Sequence, residues 1–70
     1  MTLRKIYETS KGTHVVKVYR DVEWGEYRVR CYPYGKLNTN MDYHTDDKQD
    51  WVATAAQELA WMCKAYPLPA

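Results

Sequence analysis

The side chains that could carry catalysis are few. The chain contains two histidines, two cysteines and a single serine, Ser10. His44 is the better candidate for acid–base chemistry, because neighbouring aspartates could orient its ring. No nucleophile or second base accompanies it, so the pattern is more typical of a polar residue between a strand and a helix. We therefore expect no enzymatic activity.

Metal and phosphate sites are equally weakly supported. Structural zinc sites usually present paired ligands about two to five residues apart, and His14, Cys31, His44 and Cys63 offer no such pair. The aspartates of residues 42–50 lack the spacing and glycine of a calcium loop. Three glycines cannot form a glycine-rich phosphate loop. We expect no metal and no cofactor, and we expect both cysteines to be small buried apolar residues.

A basic and aromatic stripe is the first candidate binding surface. Arg28, Arg30 and Tyr32 alternate along one predicted strand and share its outward face, and Arg20 on the preceding strand could lie beside them. Such a surface can stack bases and hold phosphates. The alternative is a solvated sheet face whose side chains pair across strands.

Two tryptophans are further candidates for contact with a partner. Trp61 falls on the polar side of the predicted helix, where it is either an interface anchor or a lid over the proline-containing tail. Trp24 lies in a predicted hairpin loop, where recognition residues are common.

The elements that would position these residues are strands followed by a helix. Hydrophobic alternation predicts strands over residues 2–9, 14–20 and 26–34, with a hairpin loop at 21–25 and a turn at 10–12. In the second strand, Val16 and Val18 share one face, and Val15, Lys17 and Tyr19 share the other. In the third strand, Tyr27, Val29 and Cys31 share one face, on which Cys31 is expected to be in the core. Residues 37–43 alternate less cleanly and predict a fourth strand.

The helix is expected to begin near Thr45 or Asp46, with a capping box that ends at Gln49. It should end after Tyr66 because Pro67 follows. One broad apolar face is predicted, made of Trp51, Val52, Ala55, Ala56, Leu59, Met62, Cys63 and Tyr66. The predicted fold is therefore α+β: a three- to four-stranded antiparallel sheet packed against one C-terminal helix.

Size and charge restrict the functional classes. Seventy residues allow one domain, residues 1–70, with a thin core to which a homodimer or a partner could add stability. A net charge of +1 gives no global reason for binding nucleic acid or a membrane. No apolar run approaches a membrane span. Two free thiols are typical of a reducing, cytosolic setting.

Two stretches resemble a known group of proteins. The run VKVYRDVEWGEYRVRCY and the later run DYHTDDKQDWVATAAQEL are similar to small accessory proteins encoded in the early regions of T7-like podophages. The resemblance covers about residues 14–34 and 42–59. Trp51 stands where the resembling pattern has alanine, and residues 37–41 do not match it.

This resemblance implies a phage protein in the cytoplasm of a host cell. Such proteins are mostly of unknown function, and those that are understood commonly bind a host enzyme or defence complex stoichiometrically and block it. We therefore expect a non-catalytic binding protein that inhibits or redirects a host protein. Its contacts would come from Trp24, Trp61 and the stripe of Arg28, Arg30 and Tyr32. Nucleic-acid binding through that stripe and assembly as a structural homodimer are the alternatives.

Overall fold

The computed structural model of the chain describes residues 3–68. They form a four-stranded antiparallel sheet of strand order β1-β2-β3-β4, followed by one helix, which confirms the predicted α+β fold. The elements are β1 (Leu3–Lys11), β2 (His14–Asp21), β3 (Glu26–Tyr32), β4 (Tyr43–Thr45) and α1 (Lys48–Ala65).

The β2–β3 hairpin forms the centre of the sheet, and its alternation is the one that the sequence predicts. Val16, Val18, Val29 and Cys31 are fully buried on the face under the helix, while the residues between them are half-buried on the other face. The loop between the strands turns at Gly25, whose positive φ of 64° suits a glycine.

The first strand is longer than predicted and irregular. It extends to Lys11, so that Ser10 lies in the strand rather than in a turn, and Gly12 makes the turn instead, at a φ of 60°. The register with β2 shifts between Lys5 and Tyr7, where Ile6 is the extra residue of a bulge. The bulge explains why the apolar residues of this segment alternate imperfectly. Thr2, the predicted first residue of the strand, lies outside the described residues.

A fourth strand is present as predicted, but its predicted bounds, residues 37–43, are wrong. Residues Thr39–Met41 form a 3-10 turn, in which the side chain of Asn38 accepts a hydrogen bond from Asn40 N at 3.0 Å. Asparagine side chains offer the backbone such local bonds in place of a sheet ladder. The strand that completes the sheet is the shorter β4, which overlaps the predicted segment only at Tyr43 and pairs with β3. The third strand also ends earlier, because Pro33 begins a 3-10 turn.

The helix begins one residue later than predicted, without the capping box. Asp47 is the N-cap, and its carboxylate accepts a hydrogen bond from Gln49 N at 2.9 Å. Thr45 instead supports the cap by accepting a bond from Asp47 N at 3.2 Å. At the other end the N–H of Tyr66 donates to Met62 O.

The core lies between the sheet and a narrower helix face than expected. Trp51, Ala55 and Met62 are buried, and Leu59 and Tyr66 pack beside them. Val52 is 46% exposed and Ala56 is also exposed, so the predicted inclusion of these two residues in the buried face is wrong. Both lie on the helix flank that turns away from the β2–β3 core.

Candidate functional site

The face of the sheet that the helix does not cover carries charged and aromatic side chains. We call it the open face. Its central residues are half-buried, apart from the deeply buried Asp21, and come from two strands: Val15, Lys17, Tyr19 and Asp21 of β2, and Glu26, Arg28, Arg30 and Tyr32 of β3.

Four of these residues form a quartet of cations and tyrosines at the centre of the open face. Lys17 Nζ lies 4.9 Å from the ring centroid of Tyr32, and the guanidinium carbon of Arg30 lies 5.3 Å from that of Tyr19. Lys17 is directly opposite Arg30 in the ladder. Each contact joins a residue of β2 to the residue of β3 that lies two positions beyond its ladder partner, so the two contacts run in the same diagonal direction. The rings attract the cations through their quadrupoles and hold them at the surface without neutralising them.

The tyrosine hydroxyls of the quartet remain available as polar groups. Burial, together with a hydrogen bond to Tyr19, raises the pKa of Tyr32, while the charge of Arg30 opposes that rise. The Tyr32 hydroxyl is therefore protonated at neutral pH. The quartet can therefore offer a partner the charged groups of Lys17 and Arg30, two tyrosine rings and a hydroxyl group that can donate a hydrogen bond.

Arg28 is placed on the open face as predicted, but acids engage it. Its Nε lies 3.4 Å from Asp21 Oδ2, and its terminal nitrogen lies 3.1 Å from Glu26 Oε1. Asp21 is 1% exposed and also accepts bonds from the backbone N–H groups of Glu23 and Trp24. Arg28 therefore balances the buried carboxylate that shapes the hairpin loop, and it contributes less free charge than Arg30.

Arg20 does not join this surface, and the expectation that it lies beside Arg28 and Arg30 is wrong. It pairs with Tyr27 in the ladder and stacks on that ring at 4.7 Å, on the helix side of the sheet. The physical reason is the period of two: position 20 falls on the same face as Val16 and Val18. Tyr27 in turn contacts Trp51, at a centroid distance of 5.8 Å.

The Trp51 ring fills the space at the start of the helix. It lies between the rings of Tyr7 and Tyr27, at 5.4 and 5.8 Å, and is 7% exposed. Trp51, which stands where the pattern of the similar phage proteins has alanine, is thus part of the core. Its indole N–H is buried without a hydrogen-bond partner in the described chain.

Trp24 is at the tip of the hairpin loop, as the sequence predicts. It is 75% exposed, and its neighbour Val22 is 59% exposed. The loop backbone that presents both side chains is fixed by the carboxylate of Asp21. Exposed apolar side chains on a well-held loop are a common means of contact with a partner.

Trp61 belongs to a different surface. It is 51% exposed on the helix, and its ring meets Tyr66 edge-on at 5.9 Å. Because the helix lies on the other side of the sheet from the quartet, one flat partner cannot contact both. The predicted contact residues therefore lie on two separate surfaces.

The histidines are placed differently from each other. His14 is fully buried: its Nδ1 accepts from Tyr34 N at 3.0 Å, which assigns the proton to Nε2, and Nε2 donates to Tyr66 O at 2.6 Å. His44 is exposed on β4, opposite Arg28. In residues 3–68 it makes no hydrogen bond to the aspartates that flank it.

Sequence reasoning missed Lys17, Tyr19 and Val22 as candidate contact residues. The sequence did contain a signal for Lys17 and Tyr19, because alternation places them on the other face of the strand from the valines. A hairpin of two strands then brings that face beside Arg30 and Tyr32. No sequence signal distinguishes Val22 from other loop residues.

The described part of the chain has neither a cluster of metal ligands nor a helix that could span a membrane. Residues 3–68 contain no group of three or more histidine, cysteine or acidic side chains close enough to hold a metal ion. Both cysteines are free thiols. Cys31 is buried as expected, but Cys63 is only half-buried, so its expected burial is wrong. The α1 helix lacks the long apolar stretch that a bilayer crossing requires.

Comparison with known proteins adds no relative. No protein family, curated protein or solved structure matches this chain.

Proposed function

We propose that the protein works by stoichiometric binding of a protein partner through the open face and the Trp24 loop, and that it inhibits or redirects that partner without chemistry of its own. The supporting observation is the quartet. Lys17 and Arg30 form no salt bridge in residues 3–68, although Glu8 lies opposite Lys17 in the ladder and Asp42 lines a small recess with Arg30. Both cations lie over tyrosine rings on the face that the helix does not cover. Tryptophan, tyrosine and arginine are the residue types that dominate the energetics of protein interfaces.

The charges of the open face favour a protein partner over a strongly phosphate-dependent one. Asp21 and Glu26 engage Arg28, and Glu8 engages Lys5 at 2.9 Å on the adjoining strand. Lys17 and Arg30 therefore form a small basic area surrounded by charges of both signs. An acidic patch on a folded protein would complement such an area. The resemblance to phage early proteins makes a bacterial host protein or defence complex the partner to test first.

A pull-down from bacterial lysate tests the proposal. The tagged wild-type protein should retain one partner at equal stoichiometry, and Arg30→Glu and Trp24→Ser should each lose it. Lys48→Glu is the matched control, because it reverses the same charge at an exposed site off the open face. The proposal fails if no partner is retained, or if Arg30→Glu retains it as well as Lys48→Glu does.

Nucleic-acid binding is the second candidate, and the quartet also supports it. Aromatic rings on the central strands of an open sheet can stack bases, with neighbouring cations on the phosphates. Two free cations would give a salt slope of about −1.4 on a single strand, and Lys17→Ser would remove about half of it. Fluorescence anisotropy with a labelled oligothymidylate measures this slope. Absence of binding at low salt would eliminate this candidate.

A further inference from the structure

A recessed surface lies beside the helix. It is a cleft of about 490 Å³ between α1 and the segment that leads into β4. Trp61 forms one wall, and Met41 and Tyr43 form the other. Trp61 is 51% exposed and Tyr43 is 37% exposed, so folding alone leaves much of this aromatic surface uncovered.

The charged groups of the cleft all have one sign. Asp42 and Glu58 line it, no lysine or arginine does, and neither carboxylate forms an ion pair within residues 3–68. Glu58 Oε2 accepts only a long hydrogen bond from the Cys31 thiol, at 3.8 Å. The amide side chains of Asn40 and Gln57 add further acceptor oxygens to the rim.

We propose that this cleft binds a guanidinium group, presented as an arginine side chain of a protein partner. Indole is the aromatic ring that attracts cations most strongly, and a planar guanidinium can lie on it. The same group can donate forked hydrogen bonds to carboxylates, which a compact ammonium cannot match. A metal ion suits the cleft less, because the described residues do not place three acidic, histidine or cysteine ligands together there.

This site is independent of the proposed function of the open face. The cleft lies beside the helix, and it meets the open face at Asp42 and Tyr43, which also line a small recess with Arg30. The charged side chains of the cleft are acidic, whereas those of the quartet are basic. A partner that contacts the open face through an acidic patch would need a second, basic segment to reach the cleft. The cleft is therefore tested by itself, with the whole chain and a small probe.

Titration by nuclear magnetic resonance tests this proposal. The probe is Nα-acetylarginine amide, and its neutral match is Nα-acetylcitrulline amide, which has nearly the same shape. The chain has three indole N–H signals, from Trp24, Trp51 and Trp61, which serve as internal references for one another. We expect the arginine probe to shift the Trp61 signal saturably and to leave the Trp24 signal in place, while the citrulline probe shifts neither.

Variants locate the effect. Asp42→Asn and Glu58→Gln should each weaken binding of the arginine probe about fivefold, the size expected for loss of one charge-assisted contact. Glu8→Gln removes the same charge from β1 and should leave binding unchanged. Because Glu58 also touches Cys31, the exposed Asp42 variant keeps the test independent of any packing defect.

Three outcomes would overturn the proposal. They are the absence of a saturable Trp61 shift with the arginine probe, equal shifts with the citrulline probe, and equal weakening by Glu8→Gln and Asp42→Asn. The last would show that binding responds to net charge rather than to the cleft.

Discussion

The two faces of the central hairpin are built from the same two strands but serve different ends. The covered face carries Val16, Val18, Val29 and Cys31, which have no exposed surface. One residue away along each strand, the open face carries cations that lie over tyrosine rings. The covered face buries apolar side chains and so stabilises the domain, whereas the cations and rings of the open face bury little apolar surface. In a sheet covered on one side, the pleat separates these two roles residue by residue.

The largest expected contrast is between the two thiols. Burial, reinforced by the charge of Glu58, raises the pKa of Cys31 to about 12. At neutral pH it should hold about a thousandfold less thiolate than a thiol of ordinary pKa. We expect Cys63, which is half-buried on the helix, to be alkylated by iodoacetamide at least about a hundredfold faster. Mass spectrometry of timed samples measures this ratio.

Urea is the control for the thiol prediction, because unfolding should make both cysteines react at similar rates. Equal rates in the native protein would mean that the covered face opens readily. That result would contradict a closed core at Cys31.

The next largest effect is expected at His14, at the end of the covered face. His14→Ala should lower the free energy of unfolding by about 3 kcal/mol, because it leaves a cavity and two unpaired backbone groups, Tyr34 N and Tyr66 O. Urea denaturation measures the change. His44→Ala is the matched control on exposed β4 and should change stability by less than about 0.5 kcal/mol. Similar losses in both variants would contradict the bridging role of His14.

A pair of neighbouring valines compares the two faces within one strand. Val16→Ala should cost about 2 kcal/mol, because the side chain is fully buried beneath the helix. Val15→Ala makes the same chemical change on the open face and should cost less than about 1 kcal/mol. Both values come from urea midpoints at constant slope. If the two costs were equal, the open face would be covered in solution, for example by a second copy of the chain.

The smallest effect on stability is expected in the quartet itself. The double change of Lys17→Ser and Arg30→Ser removes two cation–ring contacts at a half-exposed surface, so it should alter the free energy of unfolding by less than about 1 kcal/mol. The same variant should abolish capture of the partner in the pull-down. A large loss of stability would instead make the quartet part of the fold, and the proposed binding role would lose its main support.

Some of this arrangement could be predicted from single segments. The period of two in residues 26–32 places Val29 and Cys31 on one face and Arg28 and Arg30 on the other, whatever the rest of the chain does. The helix is equally local, since an aspartate cap, an apolar stripe and a following proline define it. Exposure of Trp24 follows from its place in a hairpin loop.

Other features depend on contacts between segments that are distant in the chain. The neutralisation of Arg28 depends on Asp21 lying across the hairpin, and the bulge at Ile6 appears only in the pairing of β1 with β2. The cleft beside Trp61 exists only because α1 packs next to the turn that precedes β4.

The sequence by itself determined that strands precede a single helix and which side of β3 is apolar, because these follow from local periodicity and from the preferences of glycine, proline and aspartate. Only the tertiary structure decided that Arg20 faces the helix with Tyr27, that Lys17 and Tyr19 join Arg30 and Tyr32, and that Trp61 stands apart from them. The physical reason is that register and layer packing bring together side chains whose separation along the chain carries no signal of their contact.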